Sequence, residues 1–168
     1  MKRFAGWVLL ALGVIGLDQW SKLTVLQYFA EWESRPVTDF FNLVLVYNPG
    51  AAFSFLANHA GWQRWFFVIL AAVISAWLLR LIWIHRSERL QPAAFALVVG
   101  GAIGNVVDRL VWGKVVDFLD FHLAGHHWPA FNLADSAICL GVILMITAQM
   151  LESREAKQNA EQKAGKPQ

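Results

Sequence analysis

A single cysteine among 168 residues removes disulfide-stapled secreted scaffolds from consideration, because those need paired thiols. Charge is scarce too. Only 15% of the residues are Asp, Glu, Lys or Arg, against about a quarter in ordinary soluble domains, and the net charge is +2. So little charge, and so little excess of one sign, offers no basic face for a nucleic acid, and no nucleic-acid partner is expected. With 57% hydrophobic residues the chain is not disordered either. What it has in excess is apolar bulk, with 9 Trp, 12 Phe and a mean hydropathy of +0.45. These features point to one integral membrane domain over residues 1–168.

A membrane helix needs roughly 20 mainly apolar residues to cross the hydrocarbon. Four stretches qualify, at about 4–26, 65–84, 92–111 and 133–151. Lipid offers no partners for backbone N–H and C=O groups, so runs this long and apolar are helices. The expected fold is an all-α bundle of four membrane-spanning helices, with a small β segment at the extracytoplasmic surface. Lys2 and Arg3 precede the first span, Arg80, Arg86 and Arg89 surround the second connection, and Arg154, Lys157, Lys163 and Lys166 follow the last. This bias places both termini in the cytoplasm. Trp20, Tyr28, Trp32, Trp62, Trp65, Trp112 and Trp128 then cluster near the outer ends, as an interfacial aromatic belt does. The basic start and the apolar run 4–17 imitate a signal peptide, but no small-x-small site closes the run and further spans follow. The polar tail 152–168 is expected to be frayed helix or disorder.

The outer segment of about 27–64 is too long for a bare connection. Within it, Phe40 to Tyr47 is aromatic and β-branched, Asn48-Pro49-Gly50 supplies turn residues, and Ala51 to Leu56 can form a return strand. An apolar hairpin outside the membrane is expected to lie on the bilayer or against the bundle.

Charged groups near the bilayer centre cost roughly 2.5–3.5 kcal/mol even on the lenient insertion scale, so they carry information. Asp18 and Lys22 are four apart on one helix face and can pair, with Lys22 snorkelling to the interface. Asn105, Asp108, Arg109 and Trp112 recur at helical spacing as a polar stripe, equally consistent with a structural network and with a binding site. Gly100 and Gly104 form a small-xxx-small pair for close helix packing. Asp117 sits among apolar neighbours that would raise its pKa if it is buried. Asn132 fits a helix N-cap, with Asp135 at the third helical position, where an acid complements the dipole. Two acids whose settings push them apart are the usual signature of an acid/base pair. Spacing alone does not choose a pair among Asp18, Asp108, Asp117, Asp120 and Asp135.

Other chemistries fit less well. Cys139 reads as a small hydrophobe buried in an apolar helix. Asp120, His122, His126 and His127 match no familiar ligand spacing, so no metal is expected. No serine has the context of a nucleophile elbow.

Several separated blocks resemble the bacterial lipoprotein signal peptidases, or type II signal peptidases: 17–22 (LDQWSK), 47–54 (YNPGAAFS), 104–109 (GNVVDR), 115–118 (VVDF) and 131–136 (FNLADS). The resemblance covers nearly the whole chain. It implies an aspartyl endopeptidase of the bacterial inner membrane, active near its outer face. Such an enzyme removes signal peptides from diacylglyceryl-modified prolipoproteins, cutting before the lipidated cysteine. The implied catalytic pair is Asp117 and Asp135, surrounded by Asn48, Gly50, Asn105, Asp108, Arg109 and Asn132 as substrate-binding residues. Asp18 and Lys22 are accessory polar residues. No metal or cofactor is implied; the partners are prolipoprotein substrates and membrane lipids, and the chain is expected to act as a monomer. The rival readings are a small transporter or proton pathway, and a non-catalytic assembly factor whose polar residues only cap and pack helices.

Overall fold

The computed structural model describes the backbone of residues 1–50 and 61–164, with side chains as far as residue 159. Its elements, in chain order, are α1 (Lys2–Tyr28), β1 (Ser34–Thr38), β2 (Phe41–Asn48), α2 (Trp62–Ile84), α3 (Leu90–Val111), β3 (Val115–Leu123), β4 (His126–His127) and α4 (Leu133–Ala164). All four helices are long and apolar enough to cross a membrane.

The third helix is central, and α1, α2 and α4 all pack against it. Its small residues explain why. A Cβ on Gly100 would meet Val14 and the Ala11 carbonyl of α1, and one on Gly101 would meet the Ala134 carbonyl of α4. Lipid supplies no hydrophobic drive between helices, so close backbone approach and van der Waals contact hold the bundle together. The other helices turn Leu12, Leu23, Ile69, Val73, Trp77, Ile143 and Ile146 outward, as lipid-facing surfaces do. Arg3 Nη1 donates to the Ser87 carbonyl and Trp7 Nε1 to the Arg86 carbonyl, so the chain start and the α2–α3 connection share one end of the bundle.

The sheet caps the opposite end, in the order β1-β2-β3-β4, with antiparallel pairing throughout. Val25 and Leu26 of α1 pack with Leu45, Val116 and Phe118, which seats the sheet on the bundle. Successive strand residues point to opposite faces, so Val116 and Phe118 on this apolar cluster turn Asp117 the other way. The β2–β3 register shifts between Leu43 and Val46, and Val46 is the partner of Asp117. A bulge there re-aims side chains at the point where the aspartate needs placing.

Two expectations need correction, the partner of β2 and the burial of Cys139. Among the described residues β2 forms its hairpin with β1, through a turn at 39–40, and its other neighbour is β3, from the distant outer segment. Composition identifies an apolar strand but carries no record of a partner some 70 positions away (roughly, from register). The return strand expected at 51–56 lies outside the described residues. Beyond the span at 133–151 the fourth helix continues through the polar segment to Ala164, the helical form expected of the tail. Cys139 is exposed on α4, because a helix at the bundle edge turns apolar residues toward lipid as readily as inward.

Candidate active site

The last helix begins with a reciprocal cap. Asn132 Oδ1 accepts from the Asp135 N–H at 2.9 Å, and the Asn132 N–H donates to Asp135 Oδ2 at 3.3 Å. This capping-box arrangement fixes both side chains at the start of α4. The remaining end of the Asn132 amide, fully buried, turns to the sheet, and Nδ2 donates to Asp117 Oδ1 at 2.7 Å. One carboxamide therefore holds Asp117 of β3 beside Asp135 of α4.

Each acid has further donors. Asn48 Nδ2, at the end of β2, donates to Asp117 Oδ2 at 3.1 Å, and Asn105 Nδ2 of α3 donates to Asp135 Oδ1 at 2.7 Å. Asp117 is only 2% exposed. Burial, and then the charge of Asp135, push its carboxyl up to about 7 against the donors from Asn48 and Asn132. The site thus joins a buried acid to a half-buried one, and nearby repulsion disfavours ionisation of both together.

Arg109 closes one side. Its Nη2 donates to the Gly50 carbonyl at 2.8 Å, its Nη1 to the Asn105 carbonyl at 3.3 Å, and its guanidinium lies 5.0 Å from the Phe67 ring centre. Gly50 in turn donates its N–H to Asn48 Oδ1 at 3.0 Å. The chain reaches Asp117 from α3 through a tight turn at Gly113, whose φ of +78° suits glycine.

A second cluster lies directly behind. Lys22 Nζ contacts Asp18 Oδ2 and Asp108 Oδ2, each at 2.8 Å, and Asn105 Oδ1 at 3.0 Å. Lys22 is 1% exposed, so it does not snorkel as expected; Asp108 supplies an inward partner that the α1 sequence alone does not reveal. Asp18 Oδ1 also accepts from the Ala134 N–H at 2.9 Å, so a carboxylate of the first helix caps the last. Asp108 Oδ2 accepts from the Val116 N–H at 3.0 Å, tying α3 to the strand that carries Asp117.

The structure therefore brings together Asp117, Asp135, Asn48, Gly50, Asn105, Arg109 and Asn132, with Asp18, Lys22 and Asp108 as their support. Trp112, the fourth member of the stripe, is instead exposed at the end of α3. Three residues were not anticipated. Gln19 Nε2 donates to Asp108 Oδ1 at 2.8 Å and to the Gly104 carbonyl at 3.1 Å. Gly104 does more than permit helix packing, since a Cβ there would lie 2.6 Å from Asp18 Oδ2. Phe67 is the third. An amide inside an apolar span was the available signal for Gln19; nothing in the sequence marks Phe67.

Asp120 stands apart. Its carboxylate accepts from Asn42 Nδ2 at 2.8 Å and has His127 Nδ1 at 2.9 Å. Burial acts to raise it, but these bonds outweigh burial and hold Asp120 below the usual carboxylate range. Among the described residues no group of three or more His, Cys, Asp or Glu could hold a metal ion.

The family model described as "Signal peptidase (SPase) II" matches residues 10–151 of the chain. A lipoprotein signal peptidase of Azoarcus sp. (strain BH72) is 65% identical over 144 residues, covering 86% of this chain and 82% of its own. Another, from Ralstonia nicotianae, is 57% identical over 150 residues, covering 86% and 85%. Two solved structures titled as bacterial membrane enzymes, both obtained by the in meso method, are each 32% identical to it. Their TM-scores are 0.79 and 0.75, with 89% and 86% of this chain covered, and 90% and 92% of theirs.

Proposed function

The chain belongs to the signal peptidase II family, and from that premise we propose that Asp117 and Asp135 are the catalytic pair of an aspartic lipoprotein signal peptidase. The observation that carries this reading is the Asn132 carboxamide, bonded at one end to the Asp117 carboxylate and at the other to the Asp135 N–H. A structural helix cap needs only the second of these bonds.

Asp117, raised to about 7, is the member that carries the shared proton, half occupied at neutral pH and filled below it. Asp135 takes a proton from water, and the oxygen attacks the scissile carbonyl while Asp117 protonates the carbonyl oxygen. As the tetrahedral carbon collapses, the C–N bond breaks. The leaving amine takes the proton held by Asp135, and Asp117 regains its own from a hydroxyl of the intermediate. The side-chain amides of Asn48 and Asn105 and the guanidinium of Arg109 are the polar groups placed to hold peptide backbone and developing charge. The reading requires no metal ion or cofactor.

The substrate is a prolipoprotein bearing a diacylglyceryl group on the cysteine that follows the cleaved bond. Its acyl chains remain in the bilayer, where each buried CH2 is worth about 0.8 kcal/mol, and they present the bond at the membrane surface. By the placement of basic residues, both termini face the cytoplasm and the site lies at the outer face of the inner membrane. One chain contains every group the reaction uses, which favours a monomer. The family assignment does not favour a transporter or an assembly factor, and Asp18, Asp108, Asp117 and Asp135 gather at one end of the bundle without forming a path across it.

The test is cleavage of a lipidated precursor by Asp117→Asn and Asp135→Asn. Each is expected to lose at least about a thousandfold in turnover while remaining folded. Near-normal turnover in either folded variant removes the pair.

A further inference from the structure

We propose that Lys22 is a positioning residue for the catalytic pair: its ammonium fixes the orientation of the Asn105 amide, which commits the Asn105 N–H to Asp135. The proposal rests on the reading of Asp117 and Asp135 as the catalytic pair.

An ammonium has three donors and no acceptor. All three of Lys22 are used, on Asp18 Oδ2, Asp108 Oδ2 and Asn105 Oδ1. Asn132 Nδ2 donates to the same Asn105 oxygen at 3.1 Å. Rotating the Asn105 amide by half a turn would set its NH2 against two donors and its oxygen against Asp135. While Lys22 is charged, only one orientation satisfies every group, and in it Nδ2 faces Asp135 Oδ1 at 2.7 Å. Asp135 is thereby presented with a donor and cannot lend a proton to Asn105. Without the ammonium, Asn105 can present its oxygen, which a protonated Asp135 would satisfy equally well. A buried ion pair whose only task was to join α1 to α3 would need Asp18 and Asp108, and no contact with Asn105.

The charged groups around this arrangement are Asp18 on α1, Asp108 and Arg109 on α3, Asp117 on β3 and Asp135 on α4. Lys22 also acts on Asp117 through space, lowering its proton affinity. The paired variant below offsets this through-space effect by removing an anion with the cation, so what it tests is loss of the amide donor to Asp135, which makes the pair harder to ionise and moves the acidic limb of the activity profile to higher pH.

Removing Lys22 alone would strand two buried carboxylates, a severe cost to folding. The variant of choice is Lys22→Met with Asp18→Asn, which keeps the local charge and leaves an amide oxygen to accept from the Ala134 N–H. It is assayed against a lipidated precursor across pH, with thermal unfolding measured in parallel. The expected result is a folded enzyme whose kcat/KM profile shifts upward by about one unit, a tenfold loss on the acidic limb, with the change in kcat rather than in KM. A profile with the parent's midpoints, whatever the stability, overturns the proposal.

A second measurement needs no Lys22 variant. Asn105→Asp keeps an acceptor for Lys22 and Asn132 but offers Asp135 no donor. Its acidic limb is expected to move to higher pH as well; a profile with the parent's midpoints overturns the proposal. Failure of the catalytic-pair reading is seen separately, as turnover surviving in either single Asn variant.

Discussion

The carboxyl of Asp117 is raised from 3.8 to about 7, first by burial and then by Asp135. The folded protein thus binds this proton more tightly than the unfolded chain does. Its contribution to stability is complete below about pH 3.8, declines as pH rises, and is lost above about 7. Asp117→Asn removes that slope, so it is expected to unfold a few degrees higher than the parent at pH 8 while being inactive; thermal scans at pH 5 and pH 8 check it. In the proposed reaction the same group is expected to place the alkaline limb of activity near pH 7, because a general acid is spent once its proton leaves. Asn132 allows a sharper separation. Asn132→Ser keeps an oxygen for the Asp135 N–H but has no amide to offer Asp117. Stability is expected to fall by about 1–3 kcal/mol, because buried acceptors on Asp117 and Asn105 lose a donor, with turnover down roughly a hundredfold.

At the level of elements, glycine decides how closely the helices meet. Gly104→Ala would drive a methyl group toward Asp18 and disturb both the Lys22 pair and the cap on Ala134. The expected cost is about 1–3 kcal/mol, with activity lost in step. Gly13→Ala, on the lipid-facing side of α1 with nothing within 4 Å, is expected to keep full activity and to gain up to about 1 kcal/mol. Unfolding and cleavage assays on the two variants distinguish these outcomes. The elements also show what the sequence could reveal. The spans and the Asn132–Asp135 cap were legible because their signals are local: a run of apolar residues, and a residue type three positions before another. The burial setting of Asp117 was legible in its apolar neighbours. The partner of Lys22 was not, because Asp108 reaches it only through the packing of α1 on α3. Nor was the pairing of β2 with β3, which joins segments separated by two helices. The exposure of Cys139 was hidden for a different reason, since lipid-facing and core positions share one composition.

At the scale of the whole molecule, the proposed orientation sets Arg86 and Gly125 on opposite sides of the membrane. In a background of Cys139→Ala, single cysteines at these two positions are expected to react with an impermeant maleimide from the cytoplasmic and the outer side, respectively. Reaction of both from one side would contradict the four-span topology. Treatment with a chelator is expected to leave cleavage unchanged, because neither acid depends on a metal in the proposed reaction.

The carboxylate that caps the final helix comes from Asp18, near the beginning of the chain. During synthesis, then, the earliest segment to enter the membrane waits with a buried acid for a backbone that has not yet been translated. A chain that stalls before the fourth span lacks Asp135 and Asn132 together, and with them one half of the proposed pair and the amide that joins it to Asp117. In the proposed reaction, biogenesis and activation therefore coincide.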